Sequence, residues 1–279
     1  MQYSIKNIWR LLYPFVIYIA ASYLVQYVYA AWYVNMQKYK FGINVTEDEL
    51  IVAMNNDSIG ITLAINALLI PIFIYFVIHD KKDFASVHWQ EYEFPKIKEW
   101  IIIALLGMSS AIAINALIAV SGVMRFSTKY HEVSQAIYSG GMAWELISAG
   151  VLAPLLEELF FRGLIYRRIR EYLDAKWAII ISAALFGAFH GNLVQFLYAF
   201  IVGCVLAFVL EKYKAVFAPI VFHMASNIIS ILITELVPAE MITETVLIMA
   251  LGFGIIIMAF LLFCVNRYEA KKKVIRNGV

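Results

Sequence analysis

The sequence predicts an all-α, polytopic membrane protein, and three observations carry that prediction. The chain has 279 residues, of which 63% are hydrophobic and only 15% charged; a soluble domain is about 25% charged. Its mean hydropathy is +0.78. Its apolar residues collect into runs, and about 20 such residues suffice to cross a bilayer as a helix.

About eight runs qualify. The first, Leu11–Val34, is long enough to span and has no small-residue cleavage site after it, so it reads as a retained helix and not a signal peptide. Ser58–Ile78 and Trp100–Gly122 follow. The fourth, Met142–Tyr166, is apolar apart from a few ionisable residues. The fifth, Trp177–His190, is short, and only Gly191-Asn192 separates it from the sixth, Leu193–Leu210, which predicts a tight, membrane-embedded hairpin. Val216–Thr234 and Thr245–Val265 complete the set. The two longest loops, about 35–57 and 79–99, predict short interfacial helices. Phe, Tyr and Trp at the span ends read as interfacial belts.

Loop charge supports this count. Eight spans with a cytoplasmic N-terminus place seventeen Lys and Arg residues inside and four outside, with Arg162 within a span. That asymmetry follows the positive-inside rule and predicts two cytoplasmic termini in a cell membrane. A composition rich in Ile, Asn, Lys and Tyr points to a bacterial plasma membrane. Arg167, Arg168 and Arg170 read as topology-fixing charge, as does the run Lys271-Lys272-Lys273. The organisation expected is 1–141, N-terminal membrane helices with interfacial loops; 142–234, a core; and 235–279, a last span with a basic cytoplasmic tail. A net charge of +2 gives no basis for binding nucleic acid. The two cysteines, Cys204 and Cys264, lie in apolar runs without C-x-x-C spacing, which argues against a disulfide framework or a redox pair.

Function is sought in the polar residues inside the spans, because a carboxylate near the bilayer centre costs about 2.5–3.5 kcal/mol. Glu157 and Glu158 are adjacent in the fourth span. On a helix, residues four apart share a face, so Glu158 can pair with Arg162, and Glu157 points about 100° away. Phe186 and His190 share a face of the fifth span, and His223 and Asn227 one of the seventh. At about 1.5 Å per residue, Glu157, His190, His223 and Asn227 fall within about two turns of one another. They are expected to line one polar cavity open to the cytoplasm. Pro154 and Pro219, each a few residues before a polar cluster, are expected to kink or open their helices.

Such a cavity suits hydrolysis of an amide by water. A carboxylate in an apolar site serves as general base and then general acid. A histidine beside it shares the proton or orients the water. A second histidine and an asparagine amide can donate to a developing oxyanion. Two imidazoles and a carboxylate, Glu157, His190 and His223, also form a donor set for a divalent metal such as zinc. The residues leave both routes open.

The segments Glu157-Glu158-Leu-Phe-Phe-Arg162, Phe186-Gly-Ala-Phe-His190 and His223-Met-Ala-Ser-Asn227 resemble the three signature motifs of the CAAX protease and bacteriocin-processing (CPBP, or Abi) family of intramembrane proteases. The family patterns Glu-Glu-x-x-x-Arg, Phe-x-x-x-His and His-x-x-x-Asn occur in order, on separate spans, without substitution. The resemblance covers about 142–234 and implies a catalytic core in spans four to seven. It further implies a bacterial endopeptidase in which Glu157 activates water with help from His190, His223 and Asn227 line the oxyanion side, and Glu158 and Arg162 support them. The substrate implied is a hydrophobic or membrane-anchored peptide, in bacteriocin or pheromone processing or self-immunity. CAAX tails are not carried over, because bacteria generally lack them.

Each residue also has a plainer reading. The Glu158–Arg162 pair can be architectural, His190 can cap the hairpin, and His223 with Asn227 can clamp two helices. Glu145 reads as interfacial. An alternative function is a non-proteolytic immunity or regulatory partner of a sensor kinase. A small transporter is less favoured, because neither an inverted repeat nor paired broken helices is visible.

Overall fold

The computed structural model describes residues 5–83, 94–138 and 140–269. Everything regular in these residues is helical, as expected, and the chain is a polytopic all-α membrane protein. Six helices are long and apolar enough to cross a bilayer. They are α1 (Ile5–Phe41), α3 (Ser58–Asp83), α4 (Ile97–Ser121), α10 (Leu193–Tyr213), α11 (Phe217–Leu236) and α12 (Glu244–Asn266). The remaining two expected spans are helical but different in kind.

The fourth is an unbroken helical stretch, 142–170, with two regions wound in the wider i→i+5 register. These are Leu146–Leu152 and Phe161–Tyr166. Between them lies α7 (Ala153–Phe160), which carries both glutamates, with α6 (Met142–Glu145) before the first wide region and α8 (Arg167–Arg170) after the second. Pro154 accounts for the first wide region, because proline has no N–H and its ring crowds the carbonyl four residues back. Pro219 behaves otherwise. It sits in the first turn of α11, where a backbone N–H has no helical acceptor, so α11 runs on without the expected opening.

The fifth expected span is α9 (Ala175–Phe189), 15 residues long. At about 1.5 Å per residue it is near 22 Å, short of the hydrocarbon thickness of about 30 Å. Asp174 caps its start, and Asn192 caps the start of α10 after the turn at Gly191, whose φ is 70°. The hairpin expected at Gly191-Asn192 is thus formed by His190 at the C-cap of α9, the left-handed Gly191 and the Asn192 cap of α10.

Of the two loops expected to hold helices, the first contains α2 (Glu47–Asn56), opened by a Thr46–Glu49 capping box. The second falls largely on 84–93, outside the described residues, as does the Lys271-Lys272-Lys273 run. One helix was not anticipated: α5 (Thr128–Ile137), between α4 and the 142–170 stretch, with Ser127 as its cap.

The segments of the chain interleave. α4 packs along α11 and α12, α9 along α10, and α3 against the Ala153–Phe160 turn. Gly107 makes the α4–α11 contact possible: a Cβ there would lie 2.2 Å from the Phe222 carbonyl oxygen. An aromatic cluster joins α1 to the 142–170 stretch and α9. The ring of Phe15 meets Phe160 at 4.7 Å, and Tyr18 meets Phe189 at 4.7 Å.

The arginines after the fourth span do more than set topology. Arg168 is buried and pairs with Asp80 at 2.9 Å, and Arg10 reaches Glu171 at 2.8 Å and Asp80 at 3.3 Å. Arg170 pairs with Glu211 at 2.7 Å. These ion pairs tie α1, α3 and α10 to the end of the 142–170 stretch. The signal in the sequence was acidic: Asp80, Glu171 and Glu211 are the complementary charges at that end.

Candidate active site

Glu158 and Arg162 are both completely buried, and they meet across one helical turn at 3.0 Å. Their wheel spacing alone foresaw this pair. The guanidinium is held on two further sides. It donates to the Gly203 carbonyl of α10 at 3.1 Å and lies 4.4 Å over the ring of Phe186. The Glu158 oxygen that accepts from Arg162 also meets Nδ1 of His223 at 2.8 Å. One carboxylate oxygen therefore joins the 142–170 stretch to α11. The other oxygen, and Nε of Arg162, have no hydrogen-bond partner among the described residues.

Glu157 is placed differently. Its side chain is 23% exposed, and its nearest basic atom is Nε2 of His223, at 3.8 Å. That separation is too long for a direct hydrogen bond. His223 is thus gripped between the two adjacent glutamates, one on each ring nitrogen. Because Glu158 is ion-paired with Arg162, Nδ1 of His223 is the donor in that contact. Nε2 is then a lone pair in the neutral ring and a donor only in the imidazolium. With His223 protonated, the charges of Glu157, Glu158, Arg162 and His223 sum to zero. The phenols of Tyr18 on α1 and Tyr198 on α10 are within electrostatic reach of Glu157.

His190 lies at the C-cap of α9. Its Nδ1 is 2.9 Å from the Phe186 carbonyl, which can only accept, so Nδ1 carries the proton and Nε2 is an acceptor. The same contact four residues back recurs at His79, on the Tyr75 carbonyl, so the bond itself is ordinary helix-end capping. His190 makes no hydrogen bond or ion pair with Glu157 among the described residues. It is tied to the network through Phe186, whose ring meets the His190 ring at 5.0 Å and the His223 ring at 5.9 Å, both edge-on.

Asn227 donates to the Ala149 carbonyl at 2.8 Å. In the wide register of Leu146–Leu152, the donor for that carbonyl would be residue 154, which is Pro154. The side-chain amide of α11 supplies the missing bond. One hydrogen of the amide is used in this way, and the other remains to donate.

The structure thus brings together Glu157, Glu158, Arg162 and His223. It places Asn227 one turn further along the same face of α11 and leaves His190 joined through ring contacts with Phe186 and Tyr198. Among the described residues, no three His, Cys, Asp or Glu side chains are placed to hold a metal ion. The set Glu157, His190 and His223 does not close as a metal centre among the described residues. Sequence reasoning missed the parts played by the Gly203 and Ala149 carbonyls and the nearness of the Tyr18 and Tyr198 phenols to Glu157. Backbone acceptors leave no residue signature. Tyr18 was visible only as one aromatic among many.

Comparison with known proteins covers the same part of the chain. Residues 139–229 match the family described as "Type II CAAX prenyl endopeptidase Rce1-like". The matched segment is the one whose motifs resemble those of the CAAX protease and bacteriocin-processing family. The chain is also 30% identical over 82 residues to the "Putative membrane peptidase YdiL" of Bacillus subtilis (strain 168). That alignment covers 29% of this chain and 34% of the relative, so the chain spans about a third of the relative's length. No solved structure matches the chain. The family match starts just before the wide-register stretch and ends two residues after Asn227, so it contains all seven motif residues.

Proposed function

We propose that the chain is an intramembrane endopeptidase that hydrolyses a hydrophobic or membrane-anchored peptide, with Glu157 as the base that activates water. The observation that carries this reading is the unequal treatment of two adjacent carboxylates. Glu158 is fully buried and committed to Arg162 and His223; Glu157 is partly open, 3.8 Å from the far nitrogen of the same histidine. A neutralised scaffold beside an uncommitted base suits proton transfer. The peptidase description of the Bacillus relative supports the same reaction class.

The steps balance as follows. Glu157 takes a proton from water, and the hydroxide oxygen bonds to the scissile carbonyl carbon. The carbonyl oxygen becomes an oxyanion, which accepts from Nε2–H of the His223 imidazolium and from the second amide hydrogen of Asn227. His190, with Nδ1 fixed on Phe186, offers Nε2 as an acceptor that orients the water. The C–N bond then breaks as Glu157 returns its proton to the leaving amine. The product pair is one carboxyl-terminated and one amine-terminated peptide.

We place the chain in a bacterial plasma membrane from its composition, with both termini cytoplasmic from the loop-charge asymmetry. A role in processing a bacteriocin or pheromone precursor, or in self-immunity, rests on the family resemblance. Comparing the peptides released by cells carrying wild type and Glu157→Gln tests the proposal. A processed peptide that disappears with Glu157→Gln, at equal membrane levels, supports it. Unchanged processing in both Glu157→Gln and His190→Ala sinks it, and points to the non-proteolytic partner.

A further inference from the structure

Away from this site, α9, α10 and α12 splay to leave a groove of about 550 Å³ on the outer surface of the bundle. It is lined by Ile179 from α9, by Cys204, Val205 and Phe208 from α10, and by Leu262, Phe263 and Asn266 from α12. All but the last are apolar, and all the lining helices lie within the hydrophobic part of the chain. The groove is therefore walled for hydrocarbon along its length and polar only at the end marked by Asn266.

That end carries two cations, each on one aromatic wall. Nζ of Lys212 lies 5.8 Å from the centroid of Phe208, and the guanidinium of Arg267 lies 5.0 Å from that of Phe263. Lys212 donates to the Asn266 carbonyl at 2.6 Å, which holds its ammonium over the groove mouth with two hydrogens left to give. The Arg267 guanidinium is exposed and has no hydrogen-bond or ion-pair partner among the described residues. The neighbouring carboxylate, Glu211, faces away, engaged by Tyr166 and Arg170.

We propose that this groove is a lipid site: it takes an acyl chain of an anionic phospholipid, whose phosphate is held by Lys212 and Arg267. The apolar walls match the chain, and the paired cations match the headgroup. A zwitterionic lipid would bring its own cation to the same place and lose the attraction. At its inner end the groove reaches Cys204, next to Gly203, whose carbonyl anchors Arg162. A bound chain would therefore pack against the backbone that positions the buried ion pair.

The test is native mass spectrometry of the purified full chain in detergent. It is incubated with phosphatidylglycerol or phosphatidylcholine of identical acyl chains, or with glycerol phosphate alone. Phosphatidylglycerol adducts should exceed phosphatidylcholine adducts, and glycerol phosphate should not be retained. Lys212→Gln and Arg267→Gln, both surface changes, should each weaken phosphatidylglycerol retention about fivefold, the effect of one interfacial cation. Cys204→Trp, which fills the groove, should reduce retention of both lipids. Equal retention of the two lipids by the wild type overturns the proposal, as does retention unchanged in both charge variants. So does retention of glycerol phosphate alone, or a dimer that covers the groove and excludes lipid.

Discussion

Replacing Arg162 by methionine isolates what the buried pair contributes. The guanidinium is fully buried and makes three contacts: Glu158 at 3.0 Å, the Gly203 carbonyl at 3.1 Å and the Phe186 ring at 4.4 Å. Breaking a buried pair from one side costs about 3–5 kcal/mol, mostly because the remaining charge has lost its partner. Here Glu158 keeps only His223, so Arg162→Met should fall in that range. Removing the carboxylate as well, in Glu158→Leu/Arg162→Met, takes away the stranded charge. What then remains is the lost His223 contact and an unpaired Gly203 carbonyl, together about 1–3 kcal/mol. The double variant should therefore be more stable than the single one by about 2 kcal/mol, the difference between those two ranges. Equilibrium unfolding in mixed micelles, followed by circular dichroism, measures all three proteins. An Arg162→Met protein within about 1 kcal/mol of wild type, or a double variant no more stable than the single, would refute the stranded-charge cost.

Two further outcomes are expected. Gly107→Ala places a Cβ against backbone, 2.2 Å from the Phe222 oxygen, so it should cost about 1–3 kcal/mol by overpacking; because Phe222 precedes His223, it should also lower peptide processing, and an unchanged unfolding midpoint would show that the α4–α11 contact is misplaced. Outside the spans, the Thr46 amide and hydroxyl hold the Glu49 carboxylate below the ordinary glutamate range. The α2 cap is thus fully present above the ordinary value and lost as pH falls through the lowered one. Carboxyl NMR should show the Glu49 titration midpoint rising in Thr46→Ala, and identical midpoints would refute the capping box.

The spans were legible because their signal is composition summed over many residues. Every expected span is a helix, and most boundaries move by only a few residues: Ser58–Ile78 lengthens to Ser58–Asp83, and Thr245–Val265 becomes Glu244–Asn266. The larger misses lie where composition is mixed. α1 runs from Ile5 to Phe41, beyond the expected Leu11–Val34, because polar residues at a membrane surface do not end a helix. α5 is too polar to be found by hydropathy and too short to be found by periodicity. In the candidate site, the Glu158–Arg162 pair followed from wheel spacing, since its partners lie one turn apart on a single helix. The His223 contact with both glutamates did not, because it depends on how α11 packs against another stretch of chain, and one sequence carries no record of that distance.

The proline before the glutamates shows how a local rule reaches the site. Pro154 removes one backbone donor, and the turn before it widens. Ala149 is left with a carbonyl that its own helix cannot serve, and an unpaired backbone acceptor within a span is costly. Asn227 serves it, from α11, four residues beyond His223. The bond therefore sets the axial register of α11 against the 142–170 stretch, and that register puts His223 level with Glu157 and Glu158. On this account Asn227 has two tasks that share one amide. Its first hydrogen holds the two helices in register, and only its second can reach a substrate oxygen. A residue read from its motif as a donor to the reacting group is thus, first, the pin that aligns the histidine with its carboxylates.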